Sequence, residues 1–294
     1  MLMIVLGILC LIFFIENIRE LRTFRVKTYR IVSRKLNGMQ KKRIVFLSDL
    51  HNCSYGKKNG RLLAAVRRAR PDLILIGGDM LVRKNGSSYA GILPFLCRLP
   101  RICPVYYANG NHEQKLKEET DRYDQSYAAY KKALEEAGII FLENEAVIWR
   151  PDGVRIRISG LEIPLSAYEK FGKRGLSVRQ IEDRIGRADP SYQILLAHHP
   201  AYVRQYEEWG ADLILSGHLH GGLIELPGIG GVMSPDFRPF PAYCGGIYRD
   251  PTADVVVSRG LGVHSVPIRF LDPAEVVVLE LEGANEPEFP EDME

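Results

Sequence analysis

Residues 43–51 read Arg-Ile-Val-Phe-Leu-Ser-Asp-Leu-His, an apolar run of strand length that stops at Asp49 and His51. The same figure recurs along the chain. Asp72-Leu73-Ile74-Leu75-Ile76 runs into Gly77-Gly78-Asp79, and Pro104–Ala108 into Asn109-Gly110-Asn111-His112-Glu113. Tyr192–Ala197 leads to His198-His199-Pro200, and Asp212–Ser216 to Gly217-His218-Leu219-His220. Strands that end this way place their Asp, Asn and His side chains in loops facing one crevice of an α/β sheet. Imidazole and carboxylate donors suit Mn, Fe or Zn, and two adjacent ions of this kind point to hydrolysis at phosphorus.

Helices are predicted at 60–70, 119–137, 177–187 and 201–209, the second stopped by Gly138. Residues 24–32 alternate apolar and basic side chains, as in a half-exposed strand. Ile139–Leu142 and Ala146–Ile158 read as strands, the latter turned at Pro151-Asp152-Gly153. The chain ends in strands and Gly/Pro turns, with Val255–Ser258 and Glu275–Leu281 the clearest. No repeat and no low-complexity linker interrupts it, so one domain of two packed sheets with outer helices is expected.

Met1–Ile15 carries no charged side chain. As a helix it covers about 22 Å, short of the ~30 Å hydrocarbon core, so it reads as a short span or a segment lodged partway into a bilayer. A cleaved signal peptide would want a basic region before it and a small-x-small site after it, and a core helix would want polar positions; an anchor is the preferred reading. Residues 19–43 hold ten Lys/Arg against one acid, Glu20, while the rest holds 29 bases against 35 acids. A basic collar just after an anchor favours anionic lipid over nucleic acid as partner and places the domain on the cytoplasmic side. Five scattered cysteines without a CxxC pair agree with a reducing compartment.

The ordered motifs resemble the calcineurin-like metallophosphoesterase superfamily over roughly residues 43–281. The wording Ser-Asp-Leu-His, Leu-Ala-His-x-Pro and Ser-Gly-His-x-His-Gly-Gly resembles a membrane-associated bacterial subfamily. The resemblance implies an α/β sandwich of two mixed β-sheets flanked by helices. It implies that Asp49, His51 and His220 hold one divalent metal, that Asn111, His198 and His218 hold a second, and that Asp79 bridges them. It further implies that His112 serves as the acid beside the metals. Protein phosphatases of the family carry an Asp three residues after the position of Asp79 to orient that histidine; here the position is Val82, so the resemblance to that branch is weak. The segments expected are 1–18 anchor, 19–42 basic juxtamembrane segment and strand, 43–282 metallophosphoesterase domain, and 283–294 acidic tail.

The expected activity is hydrolysis of a phosphomonoester or phosphodiester, with a lipid-linked phosphate or pyrophosphate as the substrate an anchor would favour. A nucleotide or cyclic-nucleotide phosphodiesterase and a non-catalytic membrane scaffold are the alternatives; a scaffold has no need of all seven donor positions. His199 is expected to be structural or to face substrate, His264 to be structural and Cys53 a spectator thiol. Glu113 is expected either to meet substrate or to form a salt bridge. Gly217, Gly221 and Gly222 are expected to let the backbone turn tightly. Tyr168, Phe171, Phe237, Phe240 and Tyr243 form either an apolar wall beside the site or ordinary packing.

Overall fold

The computed structural model describes residues 1–83, 89–123, 126–168, 175–222, 224–226, 230–234, 239–263 and 267–284. Helix α1 (Leu2–Arg22) precedes β1 (Phe24–Ser33), β2 (Lys42–Leu47), α2 (Gly60–Ala69), β3 (Leu73–Ile76), α3 (Leu93–Leu96) and β4 (Val105–Tyr107). Next come α4 (Asn111–Glu118), α5 (Ser126–Glu136), β5 (Ile139–Phe141), β6 (Glu145–Trp149) and β7 (Ile156–Leu161). Then follow α6 (Val178–Ile185), β8 (Tyr192–Ala197), α7 (Val203–Trp209), β9 (Leu213–Ser216) and the short strands β10 (Glu225–Leu226) and β11 (Gly230–Gly231). Strands β12 (Gly246–Arg249), β13 (Asp254–Val257) and β14 (Ala274–Gly283) complete the order.

Two six-stranded mixed sheets carry the motifs, in the orders β1-β14-β2-β3-β4-β5 and β12-β13-β9-β8-β7-β6. The central strands are apolar on both faces because both faces are covered. Ile44 and Phe46 of β2 point between the sheets, against Ile158, Leu196 and Leu215 of the second sheet. Their neighbours Val45 and Leu47 point outward, into a core shared with Leu62, Val66, Tyr130 and Leu134 of α2 and α5. The second sheet's outer face packs Leu195 and Ile214 against Ile181 of α6 and Tyr206 of α7. The layers are therefore helix, sheet, sheet, helix.

Register brings the motifs together. Parallel pairing sets Leu47 beside Ile76 and Ile76 beside Tyr107, so the loops bearing Asp49, Asp79 and Asn111 leave the first sheet side by side. Leu196 pairs with Leu215 in the second sheet, which does the same for His198 and His218.

One sequence expectation needs revision, and two gain detail. The helix expected at 119–137 begins only at Ser126, and a separate helix, α4, starts within the Gly110-Asn111-His112-Glu113 motif itself. That start is made by the Glu113 carboxylate, which accepts from the Gly110 N–H at 3.1 Å and so closes the first turn. Helix α1 runs past residue 18 to Arg22, held by an Arg19–Glu16 ion pair one turn apart. Half of the basic collar also forms ion pairs with the domain's carboxylates, most of them at the surface. Lys35 pairs with Asp212 at 2.9 Å, Lys42 with Asp152 at 2.9 Å, and Lys41 and Arg43 with Glu280 at 3.2 and 3.1 Å, while Arg30 pairs with Glu282. The acidic tail lies outside the described residues from 285 onward.

Candidate metal centre

Backbone strain marks the site. Asp49, His51, Asp79, His218 and His220 all adopt positive φ, between 47° and 70°. Side chains with a Cβ rarely take that conformation, and it persists where surrounding contacts hold it. Those contacts are visible. The Asp49 and His51 N–H groups donate to the carbonyls of Gly78 and Asp79 at 2.9 and 3.1 Å, zipping the loops after β2 and β3 together. Gly217 has no room for a side chain, since a Cβ there would lie 2.1 Å from Asp49 Oδ2.

The carboxylates are aimed by backbone. His218 N donates to Asp49 Oδ1 at 3.1 Å, and His112 N donates to Asp79 Oδ1 at 2.9 Å. Around them, His220 Nε2 lies 3.4 Å from Asp49 Oδ1 and 3.1 Å from His51 Nε2. His51 Nε2 lies 3.8 Å from both Asp49 Oδ1 and Asp79 Oδ2. His198 Nε2 lies 3.1 Å from Asp79 Oδ2 and 3.7 Å from Asp49 Oδ1. Three overlapping groups have ligand atoms within 4.8 Å of one another: Asp49 with His51 and His220, His51 with Asp79 and His112, and Asp79 with His198 and His218. Asn111, at the start of α4, buries an Oδ1 that has no hydrogen-bond partner among the described residues. Six of the seven expected donors (Asp49, His51, Asp79, His198, His218 and His220) and His112 thus fall into these overlapping groups, and Asn111 adjoins His112 in the chain.

The chemistry of the donor set fits metal cations. His198 Nδ1 donates to the Gly77 carbonyl at 2.7 Å, and His220 Nδ1 to the Gly262 carbonyl at 3.0 Å. A carbonyl only accepts, so both neutral rings keep their Nε2 lone pairs for the pocket. Lone pairs facing carboxylate oxygens at 3.1 and 3.4 Å need a proton or a cation between them. Burial alone would push the His198 imidazole down, but Asp79 and Asp49 raise it to about 10. Burial pushes His220 down to about 4. Burial works against the Asp79 charge too, yet His198 and His112 hold its carboxyl well below the usual range.

His112 is oriented differently from the expectation based on Val82. Its Nδ1 accepts from the Arg83 backbone N–H at 2.8 Å, so the neutral ring carries its proton on Nε2, 4.0 Å from Asp79 Oδ2. A main-chain donor takes the place of the missing Asp.

Glu113 does neither of the things expected of it. Fully buried, it accepts from the backbone N–H groups of Asp79 and Met80 at 2.8 Å each and of Gly110 at 3.1 Å, and from the Tyr107 hydroxyl at 2.8 Å. It clamps two motif loops together. Burial, and then the charge of Asp79, raise its carboxyl to about 7. The spacing from Gly110 to Glu113 was the available signal, since a Glu at the third position of a helix commonly closes its start.

His199 Nδ1 accepts from Ala201 N at 3.3 Å, and its ring stacks on Tyr168 with centroids 5.3 Å apart and lies 4.3 Å from the ring of His218. Tyr168 also meets His218 edge-on at 5.3 Å, so it does flank the site. Tyr243 packs on Tyr248 away from it, and Phe240 is 63% exposed. Cys53 packs at the margin of the first core. Phe171, Phe237 and His264 lie outside the described residues.

Residues 42–222 match the sequence model of the calcineurin-like phosphoesterases. The chain belongs to this family. It is a metal-dependent phosphoester hydrolase. It is 26% identical over 255 residues to the uncharacterized metallophosphoesterase YkuE of Bacillus subtilis, covering 85% of this chain and 82% of that one. It is 26% identical over 245 residues to the phosphodiesterase YaeI of Escherichia coli, covering 81% and 82%. A transmembrane protein with a metallophosphoesterase domain from Danio rerio is 29% identical over 258 residues, covering 85% of this chain and 54% of that one. The chain therefore spans about half the length of the fish relative.

Replacing Glu113 by Ala strands three buried N–H groups, which costs about 3 kcal/mol or more. Thermal unfolding of Glu113→Ala is expected at a midpoint roughly 6–12 °C below wild type. An unchanged midpoint would remove the clamp.

Proposed function

We propose that the protein is a membrane-bound di-metal phosphoesterase acting on phosphate esters at the bilayer surface, with a lipid-linked phosphate as its substrate class. The observation that carries this reading is helix α1. Its side chains from Met1 to Ile12 are exposed on every side, and its last turn is seated against the domain that bears the donors. A helix apolar all round has no soluble face to show water. Arg22, Arg25 and Lys27, close to its end, stand outside the collar's ion pairs among the described residues and would face anionic headgroups. The domain would lie on the cytoplasmic side. The named activity of the Escherichia coli relative favours a diester over a monoester.

In this reading Asp49, His51 and His220 hold one ion, Asn111, His198 and His218 the other, and Asp79 both. Divalent Mn, Fe or Zn would supply Lewis acidity and a water acidic enough to attack phosphorus near neutral pH. The chain's own part is orientation. Backbone N–H groups fix the two carboxylates, carbonyls fix the tautomers of His198 and His220, and the Nε2–H of His112 is placed to donate to a leaving oxygen.

Detergent-purified protein with added Mn is expected to hydrolyse bis-p-nitrophenyl phosphate faster than p-nitrophenyl phosphate, and a phospholipid phosphoester in mixed micelles faster than free nucleotides. Asp79→Asn should fall to background on all of them. Ready nucleotide hydrolysis beside inert lipid would overturn the substrate class.

Metal binding should also expel a proton. His198, raised to about 10, is charged in the metal-free protein at pH 8 and must lose that proton to become a ligand. Mn affinity is therefore expected to climb from pH 7 toward pH 10, by up to about tenfold per unit, with about one proton released at pH 8. Calorimetry in buffers of different ionisation enthalpy measures the proton count; zero would exclude His198 as a ligand.

Membrane sidedness is tested by protease added to sealed, right-side-out cells. The domain should survive until the cells are lysed; cleavage from outside would place it on the other face.

A further inference from the structure

Among the described residues, the largest fully buried side chain is a cation, Arg269, 2% exposed. No motif announces it. A buried guanidinium is tolerated only where its donors are met, and what meets them here is specific. Its Nη2 donates to the carbonyls of Arg259 at 2.7 Å, Gly262 at 2.8 Å and Gly260 at 3.4 Å. Its Nη1 reaches the carbonyl and carboxylate of Asp272 at 3.2 and 3.3 Å.

The segment so gathered, 259–262, wraps the metal centre. The Gly262 carbonyl that Arg269 holds is the one that accepts from His220 Nδ1. The N–H groups of Leu261 and Gly262 donate to the Asp49 carbonyl at 3.1 and 2.6 Å. Gly260, at φ +71°, lies so close that a Cβ there would sit 2.7 Å from Asp49 Cβ.

Arg269 is itself strapped to the apolar helix. Asn17 of α1 accepts from Arg269 N at 2.8 Å and donates to the Pro267 carbonyl at 3.2 Å. Glu20, 1% exposed, accepts from Asp272 N at 2.9 Å. Three residue pairs therefore lead from the helix to a donor of the metal centre: Asn17 to Arg269, Arg269 to Gly262, and Gly262 to His220.

We propose that the last turn of α1 and Arg269 act as a positioning device for His220, so that the affinity of the first metal site depends on the helix being seated on the domain. This rests on the reading of Asp49, His51 and His220 as the ligands of that site. It gives the helix a role besides attachment. Removing groups that orient metal-ligating imidazoles typically costs ten- to a hundredfold in metal affinity.

The test uses the full chain in detergent and Mn(II) alone, titrated with free ion followed by electron paramagnetic resonance. Arg269→Lys keeps the charge and loses the fork; Asn17→Ala releases the strap and leaves the buried cation in place. Each is expected to weaken one of two Mn(II) sites at least about tenfold and the other by clearly less. Phe46→Leu, a cut in the core between the sheets, is the control for lost stability. Wild-type affinity at both sites in both variants would overturn the proposal, and so would an equal weakening in the control. A wild-type protein that binds no Mn(II) would instead bring down the metal-centre reading beneath it, which separates the two failures.

Discussion

Two carboxylates, Asp49 and Asp79, lie buried within reach of one imidazole, with His198 Nε2 at 3.7 and 3.1 Å from them. Two such charges out of water are tolerated only if cations and hydrogen bonds answer them. Much of the surrounding architecture does that. Backbone N–H groups reach into both carboxylates, imidazoles ring them, and Glu113 holds the Asp79 loop to the turn at Gly110. The strained φ values at five donor positions are the geometric cost of turning so many polar groups inward over so short a stretch of chain.

Most of this frame was legible in the residues. Long apolar runs ending in Asp or His identify buried strands and their functional ends together, because burial on both faces and loop placement leave separate marks. What was not legible depends on partners far apart in the chain. Arg269 meets carbonyls, which carry no signature in sequence. Val82 weakened the resemblance to protein phosphatases, and nothing in the residues told that the main chain at Arg83, one residue on, meets His112. The helix at 119–137 failed because helix-forming side chains continue through a break that local preference does not see. The basic collar looked free because its carboxylate partners, Asp212, Glu280 and Glu282 among them, lie up to 250 residues away.

The membrane reading changes accordingly. A run of ten Lys/Arg suggested a broad electrostatic footing, but exposed ion pairs inside the domain absorb half of it. In that reading, contact with anionic lipid would rest on a few residues beside α1, and the apolar helix would be the main hold. That helix is joined to the domain by buried polar contacts as well as by the chain, so its direction relative to the metal centre is set.

Strand β14 lies between β1 and β2, parallel to the first over ten residue pairs and antiparallel to the second. Strand order and order of synthesis are therefore at odds. While the ribosome is still translating the middle of the chain, the first sheet lacks the strand that joins its opening two, and their apolar edges stand unpaired. A nascent chain whose leading helix has already entered a bilayer would keep β1 parked at the surface until the final strand slides in beside it. Premature termination before residue 274 would thus leave a protein unable to close its first sheet, and newly made chains would lean on chaperones until their last strand emerged.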